Sequence, residues 1–268
     1  MGPVGSRRRR GNVDPDVQAI YNAYTTPPAD DIKALINMYV VDYLKPSGAW
    51  PLLDAFYVIM AGADRQQARV NWKTPGLNDL VEVNSPTFVP FRHFAGDAAT
   101  SYLATGVNPS DPNTKFLQDD CSMGIWGGTL GQAGNNSYDE MAATSGTVSA
   151  TLQMRNAGNR ASFRLNSNSG NTSSAVLATT EFAAVTRHPS SVGNINYYRN
   201  NLAAEVSAQP STGLVSQPLF ILANNNNGTA SRFSLRSISL AFVGGGLTEA
   251  QIAAIYNGGM AFRAGVGL

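Results

Sequence analysis

Between residues 30 and 45 the apolar positions keep the spacing of one helical face. Ile32, Leu35, Ile36, Tyr39, Val40, Tyr43 and Leu44 recur at three- and four-residue steps, which predicts an amphipathic helix. Asp30 or Asp31 is placed to cap its start, and Pro46-Ser47-Gly48 to end it. The stripe must pack on something: the chain's own sheet, or a neighbouring subunit. A shorter helix is predicted before it, around Pro15–Tyr24. Trp50 to Ala61 reads as a buried strand, and Asp64 to Arg69 as a single helical turn.

From residue 86 the pattern changes. Short strand-like runs alternate with Gly, Asn, Ser and Pro turns at 86–92, 100–104, 121–127, 147–155, 161–166, 174–179, 181–187, 194–200, 202–206, 218–223 and 232–243. Val148, Ala150, Leu152 and Met154 fall on one parity, and Ser149, Thr151, Gln153 and Arg155 on the other. That is the mark of a half-buried antiparallel strand. Phe233 and Leu235 are out of phase with Ile238, Leu240 and Phe242, which predicts a one-residue bulge near Arg236-Ser237. Gly244-Gly245-Gly246 turns into a last helix, with Thr248 and Gln251 at capping-box spacing. Asn166–Ser174 and Asn224–Gly228 read as polar loops. The sum is a mainly β chain, an antiparallel β-sandwich. Three regions follow: a basic arm at 1–13, a helical anchor at 14–48, and the sandwich with its closing helix at 49–268.

Composition changes this picture little. With 268 residues, 43% hydrophobic and 14% charged, the chain is globular and long enough for one large sandwich. Charge is more informative. The net value is +1, but Arg7, Arg8, Arg9 and Arg10 are followed by an acidic stretch at 11–140 and a basic one at 141–268. Such asymmetry points to complementary subunit contacts. The arginine run also suits nucleic acid, but no aromatic interleaves it, so base stacking is not indicated and nucleic-acid contact is not favoured. The single Cys121 excludes an intrachain disulfide and reads as a buried thiol. No apolar run is long enough for a membrane span. No apolar segment follows the basic residues, so no secretory signal is expected.

Several segments resemble a known family. Phe182–Arg187, then Asn194-Ile195-Asn196-Tyr197-Tyr198-Arg199-Asn200-Asn201, then Pro218–Ala223 look like the core of laminin-G-like domains. There a strand leads into a tyrosine-x-asparagine-glycine hairpin and a leucine-x-isoleucine-glycine strand. Asn201 and Ala223 stand where that family has glycine. Ser237–Phe242 and Leu247–Ile252 are similar to the closing strand and helix. The resemblance covers roughly 86–262 and implies a jelly-roll sandwich of the concanavalin A/laminin-G type. In the front half, Gly48-Ala49-Trp50, Asn71-Trp72, Ser85–Phe88 and Ser101–Gly106 are similar to lectin-fold proteins of tailed bacteriophages, commonly virion or tail components.

Candidate chemistry is sparse. Lectin-fold glucanases need two carboxylates across the sugar, on a strand at i and i+2 or i+4. Asp139-Glu140 and Asp119-Asp120 are adjacent, and Glu181, Glu205 and Glu249 are isolated. His93 and His188 stand alone, and no zinc spacing exists. The resemblance implies that calcium is sometimes held at the sandwich rim, where Asp97, Asp111, Asp119 and Asp120 are candidates, although Asp also favours turns. No cofactor is expected. Trp126, Tyr197 and Tyr198 are the candidates for stacking a sugar, and strand aromatics of this kind more often fill the core. The expectation is a non-enzymatic structural component of a phage virion. It would form homo-oligomers and contact other virion proteins through Arg7–Arg10 and the helical face of Ile32, Leu35, Ile36, Tyr39 and Tyr43. The alternative is a carbohydrate-binding adhesin that recognises a host-surface glycan.

Overall fold

The computed structural model describes residues 13–128, 139–156, 160–173, 181–200 and 202–268. The front of the chain holds α1 (Pro15–Ala23), α2 (Asp30–Asn37), β1 (Leu53–Tyr57), α3 (Arg65–Arg69), β2 (Val81–Val83), β3 (Thr87–Val89), β4 (His93–Ala95) and β5 (Tyr102–Ala104). The middle holds β6 (Cys121–Gly127), β7 (Met141–Ser145), β8 (Val148–Gln153), β9 (Ser162–Ser167), β10 (Asn171–Thr172) and β11 (Glu181–Arg187). Then come β12 (Asn194–Arg199), β13 (Glu205–Ala208), β14 (Phe220–Ile221), β15 (Asn224–Asn226), β16 (Thr229–Ser231), β17 (Ser237–Gly244) and α4 (Glu249–Gly265).

Two sheets face each other, as a sandwich requires. One has eight strands in the order β13-β12-β11-β6-β17-β4-β3, with β1 also paired to β17. The other has nine, ordered β10-β9-β8-β7-β14-β5-β2, with β15 and β16 attached at β7. Pairing is antiparallel except for β15, which runs parallel to β7. The inner faces meet through Met123, Ile125, Phe163, Val185 and Tyr197. Cys121 belongs to this core.

A second apolar layer lies on the outer face of the eight-stranded sheet. Phe56, Trp126, Phe182 and Phe242 point there and are covered by Ile36, Tyr39, Ile255 and Phe262 from the helices. Both faces of β6 are therefore buried, with Met123 and Ile125 on the inner one and Trp126 on the outer one. Residues 14–48 share this layer, so the segment read as an anchor is built into the same unit as the sandwich.

The helix predicted over 30–45 divides. After Asn37 the backbone widens into π-helical turns over Met38–Leu44, with Lys45 N–H donating to Val40 C=O at 3.0 Å. Neither Asp30 nor Asp31 caps it. Ala29 holds that position without a side-chain bond, and both acids sit in the first turn, where they favour the positive helix end. Lys45 Nζ meets Asp14 and Asp16 at 2.6 Å each and ties α1 to this segment.

The expected strand at 50–61 is a five-residue strand between two 3₁₀ turns. A buried apolar run has no periodicity to show where pairing stops. The last strand has a bulge, but at Ser239 and not at Arg236-Ser237: the register shifts between Ile238 and Leu240, so Ile238 faces the inter-sheet core while Leu240 and Phe242 face the helices. Ladder pairing at the last strand begins at 237 rather than 232, and at 220–221 within the predicted 218–223. The run predicted at 174–179 lies outside the described residues. Asn224–Gly228 is not a loop. It forms β15 and the Asn227-Gly228 turn into β16, with φ of 52° and 88° at the two turn residues. Positive φ at both suits Asn-Gly, the strongest short hairpin signal.

Candidate functional site

The alternation of β8 places Ala150 and Leu152 in the inter-sheet core and turns Ser149, Thr151 and Gln153 outward. The neighbouring strands repeat the arrangement. In β7, Met141 and Ala143 face the core while Thr144 faces out; in β9, Phe163 and Leu165 face the core while Ser162 and Arg164 face out. Register sets Thr144 opposite Ser149 and Thr151 opposite Arg164. The β15–β16 hairpin rises beside β7 and contributes Asn224, Asn226 and Ser231. The result is a groove of about 700 Å³ on the outer face of the nine-stranded sheet.

The groove is lined by hydroxyls, amides and ions. Sites for drug-like molecules are mostly apolar with a few polar groups; here the proportions are reversed. Ser149 and Gln153 are buried even though they point away from the core. The floor is cross-linked: Thr144 Oγ1 lies 3.1 Å from Ser149 Oγ, and Asn224 Nδ2 donates to Thr144 Oγ1 at 3.2 Å. Side chains held in this way by sheet and hydrogen bonds are preorganised for polar recognition.

Three charged residues line it: Asp139, Arg164 and Arg232. Asp139 is buried, and its Oδ2 lies 2.8 Å from Arg232 Nε. Burial pushes the Asp139 carboxyl up to about 7, against the opposing pull of Arg232 and, more weakly, Arg164; Glu140 beside it adds to the rise. Glu140 points elsewhere. It accepts the Met154 N–H at 2.6 Å and the Ser234 hydroxyl at 3.0 Å, and it faces the buried Arg236 at 3.5 Å. Burial raises its carboxyl as well, offset in part by Arg236. Among the described residues of the groove, Asp139 is the only carboxylate. Hydrolysis of a glycosidic bond by paired carboxylates needs two.

The sequence-predicted site residues lie elsewhere. Trp126 is no sugar platform: it is 3% exposed, stacked on Tyr256 at 5.3 Å and 7°, with the Arg263 guanidinium 4.9 Å from its ring. Tyr197 is sealed between the sheets against Phe163 at 4.9 Å, and Tyr198 is buried under the helices. None of the three can stack a sugar from solution. Ile32, Ile36 and Tyr39 are buried, with Leu35 and Tyr43 packed beside them, against the chain's own sheet and α4. That face is therefore closed to an outside partner. Arg7–Arg10 lie outside the described residues.

The remaining candidates are used within the chain, Asp97 and Asp111 in their own turns and Asp119 and Asp120 in ties to distant segments. Asp97 accepts the N–H groups of Ala99, Thr100 and Ser101. Asp111 holds Asn113, Asp119 holds Ser211, and Asp120 holds Gly246. Among the described residues no group of three or more His, Cys, Asp or Glu side chains could hold a metal ion. His188 bonds locally to Ser190 at 2.6 Å. No helix among the described residues is long and apolar enough to cross a membrane.

Sequence reasoning missed the groove because its residues come from six strands and the segments beside them. One signal was present: the outward parity of β8 is entirely polar. No pattern announced that β7, β9, β10 and the β15–β16 hairpin would surround it.

Solved structures share the fold. A botulinum neurotoxin type C structure, from work on cell entry dependent on interaction with two ganglioside molecules, matches at 13% identity over 80% of this chain and 53% of that one, with TM-score 0.59. The receptor-binding domain of the botulinum neurotoxin C/D mosaic serotype matches at 9% identity over 78% and 52%, with TM-score 0.57. A Trypanosoma rangeli sialidase bound to 2,3-difluorosialic acid as a covalent intermediate matches at 10% identity over 77% and 32%, with TM-score 0.52. This chain spans about half the length of the neurotoxin chains. At such identities the likeness defines the architecture, a lectin-like β-sandwich. No family model matches the chain, and no curated protein does.

Proposed function

We propose that this protein is a non-enzymatic carbohydrate-binding domain that recognises a surface glycan through the groove on its nine-stranded sheet. The observation that carries the reading is the lining: hydroxyls and amides of Thr144, Ser149, Thr151, Gln153 and Asn224 on a rigid sheet, flanked by Asp139 and two arginines. Such a set matches the dense hydroxyls of a saccharide. The ganglioside-dependent entry of the type C neurotoxin and the sialic acid derivative in the sialidase support the same direction. The single carboxylate among the described groove residues supports binding without hydrolysis.

The test is a glycan array followed by titration of the bound sugars with Thr151→Trp. Thr151 is half-buried on the groove floor, and an indole there fills the groove without entering the core. Binding should fall at least tenfold with an unchanged thermal midpoint. Undiminished binding by the variant, or no glycan bound by the parent protein, would overturn the reading.

Attachment to a virion is a second proposal. It draws on the Arg7–Arg10 run and not on the helix face. Deleting residues 1–13 should abolish incorporation into particles while leaving glycan binding intact.

A further inference from the structure

The groove holds more hydrogen-bond donors and positive charge than the protein itself uses. Asp139 is matched to Arg232 at 2.8 Å. Arg164 has no such match: among the described residues it makes no ion pair and donates no hydrogen bond, and its charge reaches Asp139 only beyond contact distance. Its position is nevertheless defined. It stands opposite Thr151 in the ladder, and the turn after β9 brings Gly170 beside it. A Cβ at Gly170 would sit 2.9 Å from Arg164 Nε, so the absence of a side chain there makes room for the guanidinium.

A guanidinium presents a planar fork of donors that fits a carboxylate or sulfate with two parallel bonds. Two arginines against one carboxylate also leave the groove net positive while Asp139 is ionised.

We infer that the groove selects an acidic saccharide, one bearing a carboxylate or a sulfate, and that Arg164 receives its anionic group. The inference rests on the proposed glycan-binding role and narrows its ligand. A neutral sugar would engage the floor hydroxyls but leave the Arg164 charge unmatched.

The experiment is an array in which each neutral oligosaccharide is paired with its sialylated, uronic-acid and sulfated forms, with calorimetry of the pairs that bind. The acidic member of a pair should bind at least tenfold more tightly. Arg164→Gln should bring it down to the neutral level. Lys33→Gln, the same loss of charge on α2 far from the groove, should leave it unchanged. Arg164→Lys, which keeps the charge but not the planar fork, provides a second variant should Arg164→Gln fold poorly; it should narrow the gap between the acidic and neutral members, and an unchanged gap would count against the inference. Stronger binding by the sialylated and uronic-acid members assigns a carboxylate, and stronger binding by the sulfated members assigns a sulfate. Equal binding of neutral and acidic members overturns this inference and leaves the glycan-binding role standing. Binding of no glycan overturns both.

Discussion

Asp139 Oδ2 lies 2.8 Å from Arg232 Nε, yet the two partners live in different surroundings: the carboxylate is 2% exposed and the guanidinium-bearing side chain 41%. The arginine keeps its hydration while the acid has lost its own. Burial therefore dominates for Asp139 and raises its carboxyl to about 7, even with Arg232 and Arg164 opposing. A carboxyl with a folded pKa above its unfolded value keeps a proton that the unfolded chain gives up. Its contribution to stability is full below the ordinary value of 3.8 and is lost as pH rises through about 7. Glu140 next to it, also raised by burial, works in the same direction. The Asp139→Asn variant, which carries a neutral isostere at every pH, should show a smaller loss of thermal stability between pH 5 and pH 8 than the parent protein. Identical pH profiles for the two would mean that Asp139 stays ionised throughout.

The closing helix makes a second prediction. The capping box at its start was legible: Thr248 Oγ1 accepts the Gln251 N–H, and Gln251 Oε1 accepts the Thr248 N–H at 2.9 Å. The closeness of its approach was not. A Cβ on Gly258 would stand 2.4 Å from the Tyr39 ring, and the Tyr39 hydroxyl donates to Ile255 C=O at 2.6 Å on the same helix. In an exposed helix, Gly→Ala gains about 1 kcal/mol. Here the ring is fully buried and held by that hydrogen bond, so it cannot swing aside. Gly258→Ala should destabilise the protein by about 1–3 kcal/mol, the usual cost of overpacking a core, as read by urea unfolding. A gain in stability would show that α4 can lift off Tyr39 freely.

Legibility followed periodicity. β8 shows alternating parity and β6 carries Cys121, Met123 and Ile125 on one parity, and both occupy their predicted spans closely. β7, built from Met141-Ala142-Ala143-Thr144-Ser145, was not anticipated: small residues carry little pattern, and two acids precede it. Those acids, Asp139 and Glu140, are buried because each has an arginine nearly a hundred residues away, a pairing that only the folded chain reveals. The groove depends on the same long-range assembly. Trp126 failed as a sugar platform for a related reason. The second apolar layer that covers it comes from α4, and nothing local to β6 says on which side that helix lands.

That second layer also decides the role of the N-terminal helical segment. Ile36 is fully buried and sits with Phe56, Trp72 and Phe262 in one apolar cluster. Tyr39 contacts the same rings, edge-on to Phe56 at 5.3 Å and to Trp72 at 6.3 Å. A helix whose apolar face served only assembly would tolerate truncation of that face in the isolated protein. One that completes the fold would not. Ile36→Ala removes methyl groups from a fully buried position in this cluster and leaves a cavity there. The expected loss is about 2–5 kcal/mol of unfolding free energy, measured by urea denaturation of the purified chain at fixed concentration. A midpoint that depends on protein concentration, together with a loss under 1 kcal/mol in dilute solution, would instead return this face to an intersubunit role.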